Sequence, residues 1–207
     1  MLHCELIPAA QASAKPQHLV IVLHGLGDSM DGYRWLPATL NVPHFSYLLV
    51  NAPDSYYGGY SWYDFAKDPR PGVERSREWL FQTIRAQKTP AENIFLFGFS
   101  QGCLMTLEVA LRYPERLRGL VGISGYAFEP EEGITTLSPV AKEQAILMTH
   151  GLYDSLIPID AVRQQVKLLQ GAGLNIQWHE LPKDHTIMGE TEIAIIRQFM
   201  LERCQAT

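Results

Sequence analysis

A mostly parallel β-sheet with helices packed on both faces is the architecture this sequence predicts, on three observations. Short apolar runs, among them His18 to Leu23, Phe45 to Val50, Ile94 to Phe97 and Ala145 to Thr149, lack a regular alternation of polar and apolar residues. Strands of that composition are covered on both faces. Segments with helical periodicity separate the runs along the chain, as expected when parallel strands are joined by crossover helices. Three runs end in glycine-containing turns: His24-Gly25-Leu26-Gly27-Asp28, Gly98-Phe99-Ser100-Gln101-Gly102 and His150-Gly151-Leu152-Tyr153-Asp154. Functional residues of such sheets collect beyond the carboxyl ends of the strands.

Taken in order, His18 to Leu23 is a β-branched, apolar strand, and the two glycines beyond it permit a tight loop whose N–H groups turn toward a ligand. A short helix is expected around Tyr33 to Leu40, with Asp28 or Ser29 as its cap. Phe45 to Val50 is the next strand. From Asn51 to Gly72 the composition changes: the stretch carries six aromatic residues, too apolar for a solvated linker, and is too rich in glycine and proline for a helix. It is read as one wall of a substrate pocket, with Tyr60, Trp62 and Tyr63 as substrate-binding residues. The alternative is an aromatic loop that packs down on the sheet edge.

Val73 to Ala86 places Val73, Leu80, Phe81 and Ile84 on one face and is an amphipathic surface helix. Ile94 to Phe97 is a strand, and Cys103 to Tyr113 a mostly apolar helix stopped by Pro114. Leu117 to Ser124 follows as a strand, and Glu129 to Leu137 as a polar connection containing glycine. Ala145 to Thr149 is a buried strand, Asp160 to Leu169 a helix broken by Gly171 and Gly173, and Asn175 to Glu180 the last strand. The closing helix buries Ile193, Ile196, Phe199 and Met200. No internal repeat, low-complexity tract or linker interrupts the pattern.

With 207 residues, 46% of them hydrophobic, the chain suffices for one well-buried core and is short for two, so a single domain over residues 1–207 is expected, with little room for a large cap. A net charge of −5 without any block of Lys or Arg excludes the electrostatic footprint of phosphate-backbone binding, and nucleic acid is not an expected partner. Met1 to Pro8 has neither the basic segment nor the apolar core of a secretion signal, and no apolar run is long enough to cross a bilayer. A soluble cytoplasmic protein without stable membrane insertion is expected. Cys4, Cys103 and Cys204 are odd in number and widely spaced, which indicates neither a disulfide framework nor a metal site; they are expected to be reduced and mostly buried. Nothing specifies an oligomeric state, and a homodimer is compatible with the sequence.

The stretch Asn93 to Gly102 organises the rest. An apolar strand leads into Gly98-Phe99-Ser100-Gln101-Gly102, and a helix follows: strand, sharp turn, helix, with a serine at the apex. The glycines of G-x-S-x-G let strand and helix approach while the strained serine presents its hydroxyl to a substrate. Ser100, Asp154 and His185 each fall just after a predicted strand, in the order Ser, Asp, His expected when an acid and a base on later loops complete such an elbow. The chemistry that follows is acyl transfer to water. His185 takes the Ser100 proton and Asp154 fixes the imidazole tautomer. The N–H of Gln101, at a helix start, and that of Leu26 in the first loop form the oxyanion hole, in which the Gln101 side chain need not take part. Asp160 is better placed as the start of a helix than as the acid, and Ser124 has no apolar helix after it. His24 and His150 come too early in the chain and His179 lies inside a strand.

These residues together resemble the acyl-protein thioesterase and carboxylesterase/lysophospholipase family of small α/β-hydrolases. The resemblance is carried by Leu23-His24-Gly25-Leu26-Gly27-Asp28, Ser61-Trp62-Tyr63-Asp64, Gly98-Phe99-Ser100-Gln101-Gly102, His150-Gly151 with Asp154, and His185. It implies an α/β-hydrolase fold with a minimal cap or none, and a cofactor-free serine hydrolase acting on small-molecule or lipid-like carboxylic esters or thioesters. Ser100, Asp154 and His185 are then catalytic, with Leu26 and Gln101 as oxyanion donors. Cys103 and Asp184 stand where the family usually has glycine, and the tyrosine-rich segment between Asn51 and Ser61 also departs from it. A carboxylesterase is the leading reading, and a thioesterase or lysophospholipase the nearest alternative. A catalytically silent binding module on the same scaffold is disfavoured by the intact nucleophile, base, acid and both glycines.

Overall fold

The computed structural model describes residues 2–10, 18–42 and 44–205. The strands among them are β1 (Cys4–Ile7), β2 (His18–Leu23), β3 (Phe45–Val50), β4 (Asp54–Tyr56), β5 (Gly59–Ser61), β6 (Ile94–Phe99), β7 (Gly119–Ile123), β8 (Ala145–Gly151) and β9 (Asn175–Leu181). Seven form one sheet in the order β1-β3-β2-β6-β7-β8-β9, while β4 and β5 form a separate hairpin. All pairings in the large sheet are parallel except that of β1 with β3. The helices are α1 (Leu36–Leu40), α2 (Arg70–Arg85), α3 (Gln101–Arg112), α4 (Pro130–Thr135), α5 (Ile159–Gly171) and α6 (Gly189–Gln205).

The unbroken apolar runs are explained by two cores, one on each side of the sheet. β2 sends Leu19, Ile21 and Leu23 to one and Val20 and Val22 to the other; β6 divides Ile94 and Leu96 from Phe95 and Phe97 in the same way. Helices α2, α3 and α5 cover the first layer with Leu80, Phe81, Leu104, Val162 and Val166. Helices α1 and α6 cover the second with Leu36, Leu40, Ile196 and Phe199. Every residue of α3 from Gln101 to Leu111 is buried, so this helix has no polar face to show solvent.

Several expectations need correction. The edge strand β1 was not foreseen: it is four residues long, half-exposed and too short for a period to register. The expected helix over 33–40 is a 3₁₀ turn, Met30–Tyr33, followed by the five-residue α1. Neither Asp28 nor Ser29 caps α1; Trp35 precedes its first turn, and the Asp28 carboxylate instead accepts the Ser29 N–H at 2.7 Å. The connection over 129–137 contains α4, and the aromatic stretch contains the β4–β5 hairpin. Tyr57 and Gly58 both adopt positive φ at its two-residue tip, as a type I′ turn requires. Of the three cysteines only Cys103 is buried; Cys4 and Cys204 are half-buried.

The chain reverses its direction of sheet building between β2 and β6: β3 and β1 lie on one side of β2, and β6 to β9 follow on the other. In doubly wound sheets the crevice at such a switch point, beyond the carboxyl ends, is where ligands bind. The Leu26 loop and Ser100 leave the sheet there. Among the described residues no helix is long and apolar enough to cross a membrane.

Candidate active site

Ser100 joins β6 to α3 with φ 54° and ψ −116°, a left-handed backbone that costs a non-glycine residue about 1–3 kcal/mol. Close packing holds it there. A Cβ on Gly98 would lie 2.1 Å from the Gly102 carbonyl oxygen, and one on Gly102 would lie 2.2 Å from the Leu23 carbonyl oxygen, so both glycines are needed for β6, α3 and β2 to meet. The Ser100 N–H donates to Ile123 O at 2.9 Å, pinning the turn to β7.

His185 follows β9 and Asp154 follows β8. Ser100 Oγ lies 2.9 Å from His185 Nε2, and His185 Nδ1 lies 2.7 Å from Asp154 Oδ2. A carboxylate only accepts, so Nδ1 carries the proton and Nε2 is free to accept from the serine hydroxyl. Asp154 Oδ1 in turn accepts the N–H groups of Leu156 at 3.0 Å and Ile157 at 2.8 Å. Burial alone would raise the Asp154 pKa, but the Ile157 N–H and the His185 ring outweigh it and hold the carboxyl below its ordinary value. Three sequence-predicted residues from three loops thus form one continuous hydrogen-bonded chain, able to move a proton from a hydroxyl to an imidazole beside a fixed anion.

Leu26 lies in the β2 loop, half-exposed, and its N–H has no hydrogen-bond partner among the described residues. Gln101 opens α3, so its N–H has no carbonyl one turn earlier to bond, and it sits at the positive end of the helix dipole. His24 stiffens the first loop. Its Nδ1–H donates to Gly25 O at 2.6 Å and its Nε2 accepts the Ala52 N–H at 3.0 Å, while burial pushes its pKa down and keeps it neutral.

The aromatic stretch is not arranged as expected. Trp62 is 0% and Tyr63 2% exposed, so neither offers a surface to a substrate, and their assignment as substrate-binding residues is corrected. Trp62 Nε1–H donates to His24 O at 2.9 Å, and the Tyr63 and Tyr126 hydroxyls lie 3.0 Å apart. Burial of these two rings props the loop from behind. Tyr60 is half-buried, its ring 6.3 Å from that of His24. The exposed rim is made by residues not singled out: Tyr56 contacts Tyr57 and Phe65, with ring centroids 4.8 and 6.4 Å away, and Tyr57 is 95% exposed.

A second unforeseen element supports His185. Lys183 Nζ donates to Glu192 Oε1 at 2.7 Å and to Thr186 O at 2.8 Å, while Glu192 also accepts from the Thr149 hydroxyl at 2.5 Å and the Met188 N–H at 2.6 Å. This buried pair ties β8, the His185 loop and α6 together; burial pulls the Lys183 pKa down against the pull of Glu192. The signal was present in the sequence: Glu192 lies four residues before Ile196, on the apolar stripe of α6.

The rival residues fall away. Ser124 is fully buried, and Asp160 is exposed and paired with Arg163 at 2.5 Å. His150 Nε2–H donates to Ile157 O at 2.9 Å; burial lowers its pKa, so its approach to Asp154 at 3.4 Å is that of a neutral ring and not an ion pair. Cys103 lies under the elbow with its thiol pushed up to about 12 by burial, and is inert. A cavity of about 820 Å³ between His18, Phe45, Asn93, Arg116 and Cys204 opens at the opposite ends of the strands, away from Ser100.

Comparison with known proteins gives concordant matches. A family model described as phospholipase/carboxylesterase matches residues 6–203. Acyl-protein thioesterase 1 of Schizosaccharomyces pombe is 36% identical over 155 residues, covering 67% of this chain and 69% of its own. A probable carboxylesterase of Oryza sativa subsp. japonica is 31% identical, covering 87% and 76%. The crystal structure of Arabidopsis thaliana SOBER1 superposes with a TM-score of 0.82 at 25% identity, over 90% of this chain and 99% of the other.

Proposed function

The chain belongs to the phospholipase/carboxylesterase family, a family of ester-bond hydrolases with the α/β-hydrolase fold, and from that premise we propose that it cleaves carboxylic esters through an acyl-enzyme on Ser100. The observation that carries this reading is the hydrogen-bonded chain Ser100, His185, Asp154, with links of 2.9 and 2.7 Å.

In the first half-reaction Ser100 Oγ attacks the acyl carbon as its proton passes to His185 Nε2. The carbonyl π electrons move onto oxygen, and the Leu26 and Gln101 N–H groups receive the oxyanion. Asp154, ionised and held by two backbone N–H groups, stabilises the imidazolium through Nδ1–H. Collapse of the adduct expels the leaving group, which takes the Nε2 proton. Water then repeats the sequence on the acyl-enzyme: His185 removes its proton, the hydroxide adds to the acyl carbon, and Ser100 leaves with the proton returned to it. The aromatic rim of Tyr56, Tyr57 and Phe65, with Tyr60 behind it, gives an apolar acyl chain a place to leave water.

Hydrolysis of acyl thioesters is the second reading, favoured by the acyl-protein thioesterase relatives; a thiolate leaves with the same proton from the same nitrogen. Ser100→Ala is expected to abolish turnover of a p-nitrophenyl acyl ester. Residual turnover within tenfold of the parent enzyme would remove Ser100 as nucleophile. Matched oxygen and sulfur esters of one acyl chain, compared by kcat/KM, decide between ester and thioester.

A further inference from the structure

Gln101 bears one proposed oxyanion donor on its backbone, but its side chain turns inward and the residue is 5% exposed. Its Oε1 accepts the Trp62 N–H at 2.9 Å and lies 3.2 Å from the Ser61 hydroxyl; its Nε2–H donates to Tyr63 O at 3.0 Å. The Ser61 hydroxyl also donates to Tyr63 O at 2.7 Å. All the partners of one carboxamide therefore lie on residues 61–63, where the hairpin ends.

The same hairpin grips the other donor loop. The Gly27 N–H donates to Tyr60 O and the Tyr60 N–H to Asp28 O, both at 2.9 Å, and Trp62 Nε1–H donates to His24 O at 2.9 Å. A Cβ on Gly59 would lie 2.1 Å from the Gly27 carbonyl oxygen, so hairpin and loop are in backbone contact. Leu26 lies between these points of attachment, with His24 before it and Gly27 and Asp28 after it. Leu26 N–H and Gln101 N–H are thus carried by loops from two different strands, and the hairpin is fastened to both.

We infer that the Gln101 side chain is a positioning group for the oxyanion hole: its carboxamide clamps the hairpin to the start of α3 and thereby fixes the spacing of the two N–H donors. The inference rests on the proposed roles of Ser100, Leu26 and Gln101. Donors that stabilise charge only in the transition state alter kcat and leave substrate binding alone.

The test is Gln101→Met, which keeps the length of the side chain and the backbone N–H but removes every carboxamide hydrogen bond. Full loss of one oxyanion donor costs about 10²–10³ in rate, so a displaced donor is expected to lower kcat by about 10-fold to 100-fold with KM within about threefold. Affinity for a trifluoromethyl ketone falls by the same factor. In that adduct Ser100 Oγ bonds the ketone carbon, its proton passes to His185, and the resulting oxyanion needs the same donors. Parent kcat and parent inhibitor affinity in folded Gln101→Met overturn the inference. Should Gln101→Met fail to fold, Ser61→Ala decides, with a few-fold parallel loss supporting the clamp and parent values of both overturning it. If Ser100→Ala keeps its turnover, the proposed nucleophile fails first. If Ser100→Ala is inactive and only Gln101→Met is silent, the clamp alone fails.

Discussion

Ser100 and His185 face each other across 2.9 Å, yet the chain holds them by different means. On the β2 and β6 side the work is done by backbone. Gly98 and Gly102 let strand and helix touch, Ser100 sits at positive φ, and the Leu26 N–H is without a hydrogen-bond partner among the described residues. On the β8 and β9 side it is done by side chains: Asp154 anchors His185, and the buried Lys183–Glu192 pair, with Thr149, fastens the loop that carries it. Backbone geometry leaves a local mark in the sequence, because only glycine tolerates those approaches. A side-chain network joins residues far apart in the chain and leaves almost none.

Substitutions on either side should separate the two halves. The largest effect is expected for His185→Ala. Loss of the proposed base should lower kcat on a p-nitrophenyl ester by about 10⁴-fold or more, about 5.5 kcal/mol of barrier, since members of such a constellation act as a unit. The imidazole side chain is 15% exposed, and Asp154 keeps the Leu156 and Ile157 N–H groups when the ring is lost, so the melting temperature should fall only slightly. A large fall in melting temperature would mean that His185 is part of the packing.

Next comes the support beneath it. Lys183→Met leaves the Glu192 carboxylate buried without its cation, which costs about 3–5 kcal/mol when one partner of a buried pair is removed. Adding Glu192→Gln should restore part of the loss in urea unfolding, and equal stability of the single and double variants would deny the coupling. On the backbone side, Gly102→Ala forces α3 away from the Leu23 carbonyl, with an expected cost of about 1–3 kcal/mol from overpacking and a fall in kcat as the Gln101 N–H shifts. An unchanged kcat would show that the backbone half tolerates displacement.

The smallest effect is on acid stability. The Asp154 carboxyl is held below its ordinary 3.8 in the folded protein. Its contribution is therefore full above that unfolded value and is lost as pH falls through the lower folded one. Asp154→Asn should flatten the decline of melting temperature below about pH 4. An unaltered decline would place the acid sensitivity in other carboxylates.

The same contrast explains what was legible. The parallel sheet was read from β2, β3, β6 and β8, whose burial on both faces leaves unbroken apolar runs. The meeting of Ser100, Asp154 and His185 was legible from glycines and strand ends. The hairpin was not, because β4 and β5 have three residues each and no period fits in three. Trp62 and Tyr63 were placed on the wrong side of the wall, since an aromatic composition does not say which way a ring faces. The Gln101 side chain was set aside because its partners lie about 40 residues earlier in the chain. Lys183 and Glu192 meet only once α6 packs on the sheet, although a glutamate on an otherwise apolar stripe was the clue.

The central claim is that Ser100 Oγ becomes covalently acylated. Acid quenching during turnover of a p-nitrophenyl acyl ester, followed by mass spectrometry of the digested protein, tests it directly. One acyl group on the peptide carrying Ser100, absent from Ser100→Ala, is the predicted result. An acyl group on another side chain, or steady turnover with no burst and no adduct, would contradict it.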